Sequence, residues 1–348
     1  MNYPALIVDN NKLKHNIDTV VGWCHARGIA CFVVTKVVCA VPEVVSIIEN
    51  SEADGFADSR VENLSSIDTC KDKMMLRIGT TDVRCANISL QSEITFIDEL
   101  QAAAHEQNLC HKVILMIDLG DLREGIFYKD RAKILAAARR IAESENLELY
   151  GIGTNLTCYG AILPDSRNLG ELVAIAQWLR KELNEPIPII SGGNSSSVDM
   201  LLRDELPLGI NNLRIGECIM LGQDTARCVH IPELYDDAFI LRARLIEVQE
   251  KPSKPIGTAY KNAFGEEVSY QDKGEMLRGI LAVGRQDVCP DGLIPIDPNV
   301  TILGGSSDHL LVDLTQAEYA TGDTIDFRLT YGALLMLSTS KYVQLYQK

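Results

Sequence analysis

No run in this chain approaches the eighteen or so consecutive apolar residues that a membrane span needs, and the start, Met1-Asn-Tyr-Pro-Ala-Leu-Ile-Val-Asp9, lacks the basic flank of a secretory signal. A cytoplasmic protein without a membrane partner is therefore expected. Basic residues are scarce beside acidic ones, 33 against 48, for a net charge of −15. Nucleic acid and anionic membrane both select basic surface, so neither fits as a partner; a cationic small molecule is favoured. The ten cysteines contain no Cys-x-x-Cys pair and no histidine at zinc-site spacing. Neither a disulfide framework nor a structural metal is indicated, and buried, reduced thiols are expected.

What is present is enough apolar material for a large core: 348 residues, 46% hydrophobic and 23% charged, the size of a barrel domain with a smaller companion. Asn10 or Asn11 can cap a helix whose apolar positions Leu13, Ile17, Val20, Val21 and Cys24 keep helical spacing, and Gly28 suits its stop. Eight short apolar runs follow, at Cys31–Thr35, Ala53–Ala57, Met74–Ile78, Ala86–Leu90, Val113–Asp118, Leu147–Gly153, Ile187–Ser191 and Asn211–Gly216. Helical segments such as Arg131–Asn146 and Leu169–Leu183 separate them. Eight strands alternating with helices is the pattern of a (β/α)8 TIM barrel, expected over residues 1–232. Beyond Pro232 the runs Ala238–Val248, Gly279–Val283, Val300–Leu303, Leu310–Leu314 and Thr324–Leu329 are separated by Gly, Pro and Asp turns. They predict an all-β domain over 233–348.

Charged residues at the strand ends carry the functional signal, because the C-terminal strand ends of such a barrel form the floor of its active site. Lys36 closes the run Cys31-Phe-Val-Val-Thr-Lys36, where a partly desolvated lysine can form a Schiff base; a surface lysine ending a strand is the plain alternative. Ile117-Asp-Leu-Gly-Asp-Leu-Arg123-Glu-Gly125 ends another strand, and Arg123 either faces the site or pairs with Asp118 or Asp121. Ser191-Gly-Gly-Asn194-Ser195-Ser-Ser197 and Leu213-Arg214-Ile-Gly216-Glu217 follow the seventh and eighth strands, where barrels of this kind build phosphate sites. A polar turn without a ligand is the alternative for each. Together, a strand-end lysine and two candidate phosphate loops point to an aldehyde cofactor with a phosphate handle, pyridoxal phosphate.

With these motifs, and with Gly151-Ile-Gly-Thr-Asn155, Gly193-Asn-Ser195, Gly304-Gly-Ser-Ser-Asp308 and Thr330-Tyr331 in order along the chain, the sequence resembles the fold-type III pyridoxal-phosphate enzymes. It is most similar to the amino-acid racemases of ornithine-racemase type. The resemblance implies that Lys36 holds the cofactor covalently and moves the Cα proton on one face. It implies that Asn155, standing where alanine racemases have a histidine, lies beside the ring, and that Asn194, Ser195, Gly216, Glu217 and Tyr331 serve the phosphate. Arg214 is implied to face the pyridine nitrogen, which keeps that nitrogen unprotonated and favours controlled proton transfer over decarboxylation. Arg123 is implied to reach the cofactor's phenolic oxygen.

The departures are informative. Where alanine racemases carry a tyrosine as second acid/base, in a segment that serves the partner subunit, this chain has Val283-Gly-Arg285-Gln-Asp287. An arginine stays protonated, so the opposite-face proton falls to Ser307, Asp287 or Cys289, and Arg285 becomes a substrate contact. Asp308 matches the aspartate that grips the distal amine in decarboxylases of this fold; a turn aspartate is the alternative. The resulting expectation is a homodimeric racemase with shared sites, acting on ornithine or another basic amino acid. The rivals are a decarboxylase or a D-amino-acid aldolase on the same fold, or a non-enzymatic cofactor carrier. Arg214 speaks against the first, the lack of a metal pair against the second, and the long β extension against the third.

Overall fold

The computed structural model describes residues 1–348. The chain divides into two compact units, Asn11–Tyr235 and a second made of Met1–Asn10 with Asp236–Lys348. Strand β1 (Ala5–Val8) belongs to the second unit. The next eight strands, β2 (Ala30–Val34), β3 (Gly55–Asp58), β4 (Asp72–Met75), β5 (Ile88–Gln91), β6 (His111–Asp118), β7 (Leu147–Gly153), β8 (Ile189–Ser191) and β9 (Asn212–Ile215), are the predicted barrel strands. They pair in parallel around the circuit β5-β4-β3-β2-β9-β8-β7-β6, and β5 pairs β6 to close it.

The apolar runs read as continuous because both faces of each strand are covered. In β6, Ile114 and Met116 join Phe32, Val34, Ala57, Met74, Ile88 and Leu90 inside the barrel. Val113, Leu115 and Ile117, alternating with them, pack outward with Ile97, Leu100, Ile134, Ile141, Leu172 and Leu179 of the helical layer. The first helix, Asn10–His25, buries Leu13, Ile17, Val20, Val21 and Cys24, as its spacing predicts. The helix expected over Arg131–Asn146 stops at Ala142 instead, where the Ser144 hydroxyl takes the Arg140 carbonyl.

Gly151 marks a close approach. It pairs with Ile189 across β7 and β8, and a Cβ placed on it would lie 2.5 Å from the Ile189 carbonyl oxygen and 2.8 Å from its Cβ. Gly151→Ala is expected to destabilise the fold by about 1–3 kcal/mol, the penalty of overpacking a tight core. A urea midpoint unchanged from the native protein would show that the two strands do not sit so close.

The second unit contains an eight-stranded sheet. Its strands are β1, β10 (Phe239–Pro252), β11 (Glu275–Leu281), β12 (Leu293–Pro295), β13 (Thr301–Gly305), β14 (Leu310–Asp313), β15 (Thr324–Leu329) and β16 (Gln344–Gln347). The main path runs β12-β15-β10-β11-β14-β13, with β1 antiparallel to β10 and parallel to β16. Two features differ from the sequence reading. The first ten residues, given there to the barrel, join this unit because Ala5–Val8 pairs in register with Phe239–Arg242. A helix, Tyr331–Thr339, also interrupts the β texture, opened by Thr330, whose hydroxyl accepts from Ala333 N at 3.4 Å.

Candidate active site at the mouth of the barrel

Lys36 stands one residue beyond Thr35, at the C-terminal end of β2, and its backbone is firmly held. The buried Thr35 hydroxyl donates to Asp58 Oδ2 at 2.7 Å, at the end of the neighbouring β3. Asp58 Oδ1 in turn accepts from Ser59 N, Arg60 N and Asn63 Nδ2 at 2.6, 3.0 and 3.1 Å. Burial pushes the Asp58 carboxyl up, and these hydrogen bonds restrain it. After Lys36 the chain makes one 3-10 turn that buries Val37 and Val38, then passes through two left-handed residues, Cys39 and Ala40, at φ +52° and +48°. The lysine itself is half-buried. Its charge reaches Glu217 beyond β9, whose carboxyl is pushed up by burial and held back by the lysine.

Arg214, in the middle of β9, is the largest fully buried side chain, 2% exposed. Its Nη2 donates to the Thr154 carbonyl at 2.6 Å and to Asn155 Oδ1 at 2.8 Å, and its Nη1 donates to the Ser191 hydroxyl. The Ser191 hydroxyl in turn donates to Asn212 Oδ1. All of these acceptors are neutral, so burial lowers the guanidinium's pKa to about 10, and the nearby Glu124 charge offsets part of that effect. Asn155 donates its Nδ2 to Glu124 Oε1, and both Glu124 oxygens accept from Arg123. Burial opposes the Glu124 charge, but the hydrogen bonds and charge of Arg123 outweigh it and hold the acid below the usual carboxylate range.

Thus Arg123, Glu124, Asn155, Arg214 and Ser191 form one connected network. Arg123 makes its ion pair with Glu124, while the two acids considered for it serve the backbone. Asp118 Oδ1 accepts from Gly120 N and Leu122 N, and Asp121 accepts from Thr157, Tyr159 and Ile162 N. Each carboxylate folds a mouth loop, Asp118 through two converging N–H groups and Asp121 through three, a task that sequence cannot reveal.

The two loops read as a phosphate cradle converge on one hydroxyl. Ser195 Oγ accepts from Gly216 N at 3.1 Å and from Cys218 N at 3.2 Å, joining the loop after β8 to the one after β9. Asn194 braces the same loop, its amide donating to the Leu156 carbonyl and accepting from Ser196 N. Two buried hydroxyls at the strand ends, Thr154 Oγ1 just beyond β7 and Ser196 Oγ in the loop after β8, have no hydrogen-bond partner. Buried polar atoms are seldom left so. The donor set of amides, unpaired hydroxyls, a buried guanidinium and a strand-end lysine fits pyridoxal phosphate, which has an anionic handle, a ring nitrogen and an aldehyde.

The remaining predicted residues lie in the second unit. Gly284 has no room for a side chain: a Cβ there would sit 2.5 Å from both Asp308 N and Ser307 O. Arg285 N and Gln286 N donate to the Ser306 and Ser307 carbonyls at 2.9 Å. The loops containing Arg285–Cys289 and Ser306–Asp308, read separately from sequence, are therefore one feature. Within it Ser307, Asp308 and Cys289 are exposed. Asp287 is buried and accepts from the Ser340 hydroxyl at 2.6 Å. Arg285 pairs with Glu266 at 2.9 and 3.2 Å and lies over the Phe264 ring. Tyr331 is the first residue of its helix.

Sequence reasoning missed Glu124 and the alignment of Ser191 with Arg214. An acid next to an arginine at a strand end was the available signal for the first. Of the thiols expected to be buried, only those of Cys24, Cys31, Cys85 and Cys218 are so. Cys70, Cys110, Cys158, Cys228 and Cys289 are exposed. Tyr159 and Tyr260 are also largely exposed, so neither is a core residue.

Comparison with known proteins shows one family-model match and three full-length likenesses. Residues 8–223 match the family model described as alanine racemase, N-terminal domain. The chain is 44% identical to an ornithine racemase of Acetoanaerobium sticklandii, covering 98% of this chain and 99% of that protein. It is 35% identical to a lysine racemase of Thermotoga maritima, covering 99% and 98%. Among solved structures, the alanine racemase of a D-cycloserine-producing Streptomyces lavendulae superposes with a TM-score of 0.77 at 17% identity, covering 100% of this chain and 98% of that one. No helix is long and apolar enough to cross a membrane.

Proposed function

The chain belongs to the alanine racemase family, and from that premise we propose that it is a pyridoxal-phosphate-dependent racemase of basic amino acids, acting best on ornithine. The observation that carries the reading is the arrangement of three adjacent strands, with Lys36 at the end of β2, Arg214 within β9 and the Ser195 cradle in the loop after β8. The cofactor, when bound, supplies an electron sink that makes the Cα proton of an amino acid removable. Lys36 holds it and moves the proton on one face. The loops of Ser195, Ser196, Gly216 and Glu217, already joined by the Gly216 amide donating to the Ser195 hydroxyl, would hold the phosphate.

Arg214 would face the ring nitrogen of the bound cofactor, and its charge would keep that nitrogen from acquiring a proton. Since Arg214 bonds only neutral acceptors inside the barrel, its charge is available to act on that nitrogen. A carboxylate at this position would do the reverse, and the decarboxylase reading is disfavoured on that ground. Asn155 braces the ring side without acid/base chemistry. Arg123 stabilises the phenolic oxygen.

The opposite-face proton is carried by an exposed group of the Arg285–Asp308 loop pair, Ser307 or Cys289. Asp287, bonded to Ser340, holds that loop pair in place. The homodimer implied by the family resemblance, with shared sites, is part of the proposal and is read from the mass in solution.

Asp308 selects the basic side chain. A carboxylate that meets an ammonium in a largely dry site favours ornithine over an apolar amino acid by about 2–5 kcal/mol, mostly the penalty for leaving a charge unpaired. Asp308→Asn is expected to lower kcat/KM for ornithine and lysine far more than for alanine. Equal losses on all three substrates would assign Asp308 to the loop's structure.

A further inference from the structure

Arg214 is a cation sealed inside the barrel with no acid in contact. Its Nη1 and Nη2 donate to the hydroxyl of Ser191, the carbonyl of Thr154 and the amide oxygen of Asn155. A buried charge without a counter-charge is expensive, and the acid joined to it most directly is Glu124, one residue away in the hydrogen-bond chain. The relay between them is directional. An ionised carboxylate only accepts hydrogen bonds, so Asn155 must turn its NH2 to Glu124 and its carbonyl oxygen to Arg214. With a different partner at 124 the amide is free to flip, and its NH2 would then face the guanidinium donor to donor. The same carboxylate also holds Arg123, whose Nη2 donates to Oε1 at 2.6 Å.

We propose that Glu124 is a positioning residue of this site: one carboxylate that aims Arg123 and, through the Asn155 amide, orients Arg214 and balances its charge. The role rests on the reading of Arg214 as the residue facing the cofactor ring. It differs from a surface ion pair, whose contribution is small, because the Glu124 side chain is only 13% exposed and is shared between two elements of the site. It also gives the adjacent Arg123-Glu124 pair a reason beyond local charge matching. The pair couples the mouth loop after β6 to the guanidinium in β9.

The test follows the charge state of Arg214 directly, by the carbon chemical shift of its guanidinium against pH in the full chain without added cofactor, with Arg214→Lys assigning the signal. In Glu124→Gln, which keeps size and an acceptor, the midpoint is expected to fall by about one pH unit or more, the effect of removing a nearby opposite charge. Glu124→Asp, which keeps the charge and draws it back, gives a smaller fall and reads the same coupling should the first variant fold poorly. The double variant Glu124→Gln with Asn155→Asp moves the carboxylate one step closer and brings the midpoint back up.

A second readout, on protein loaded with pyridoxal phosphate, is the visible absorption band, whose alkaline transition should move with the same order among the variants. Identical Arg214 midpoints in wild type and the Glu124 variants, or a double variant that fails to recover, overturn the inference. A wild-type protein that takes up no pyridoxal phosphate defeats the functional reading instead, and the titration of Arg214 still decides the coupling.

Discussion

Lys36→Ala is expected to lower racemisation by at least about three orders of magnitude, because on the proposed reading it removes both the covalent anchor and the proton carrier of one face. The fold should survive the change, since the turn is held by Thr35, Asp58 and the buried Val37 and Val38, none of which touches chemistry. Borohydride reduction of the cofactor-loaded protein followed by peptide mapping should place the label on Lys36 in the wild type. In Lys36→Ala the label and the visible absorption band should both be lost. A label on any other lysine would move the site away from β2.

Arg214→Glu has the second largest expected effect. Racemisation should fall by about two to three orders of magnitude, at roughly 1.4 kcal/mol for each tenfold, while an absorption band at longer wavelength than that of the resting cofactor grows and transamination becomes detectable. An acid at this place sets a carboxylate against the Thr154 carbonyl, so thermal stability should fall as well. Arg214→Gln, which retains a donor for that carbonyl, separates loss of the charge from burial of an acid. The same residue sets a pH limit. Its proton leaves as pH rises through about 10, so wild-type activity should decline there on the alkaline side. A spectrum and rate untouched by either substitution would take Arg214 out of the site.

Much of this arrangement was legible in the sequence, and the reasons are physical. Barrel strands are buried on both faces, so β6 reads as the unbroken run Val113–Asp118 although its residues alternate between two clusters. Charged residues that end such runs, Lys36 above all, stand out for the same reason, as does Arg214 within one. Ala5–Val8 is the counter-example. It is as apolar as any barrel strand, yet its partner is Phe239–Arg242, and nothing local records a pairing across more than two hundred residues.

The candidate residues of each unit show the same division. Gly284 brings Arg285 and Asp308 together only because two loops meet, and Glu124 looks like a neighbour of Arg123 until Asn155 is folded against it. Strand ends can be read from one stretch of chain, whereas networks between strand ends cannot.

The central claim is tested most directly by incubating the protein with pyridoxal phosphate and either L- or D-ornithine in deuterated water, following optical rotation and the isotope at Cα together. The account predicts that both enantiomers converge on the same racemic mixture, with deuterium entering Cα and no loss of carbon dioxide. Release of carbon dioxide, or ornithine recovered with its chirality and Cα hydrogen intact, would contradict it.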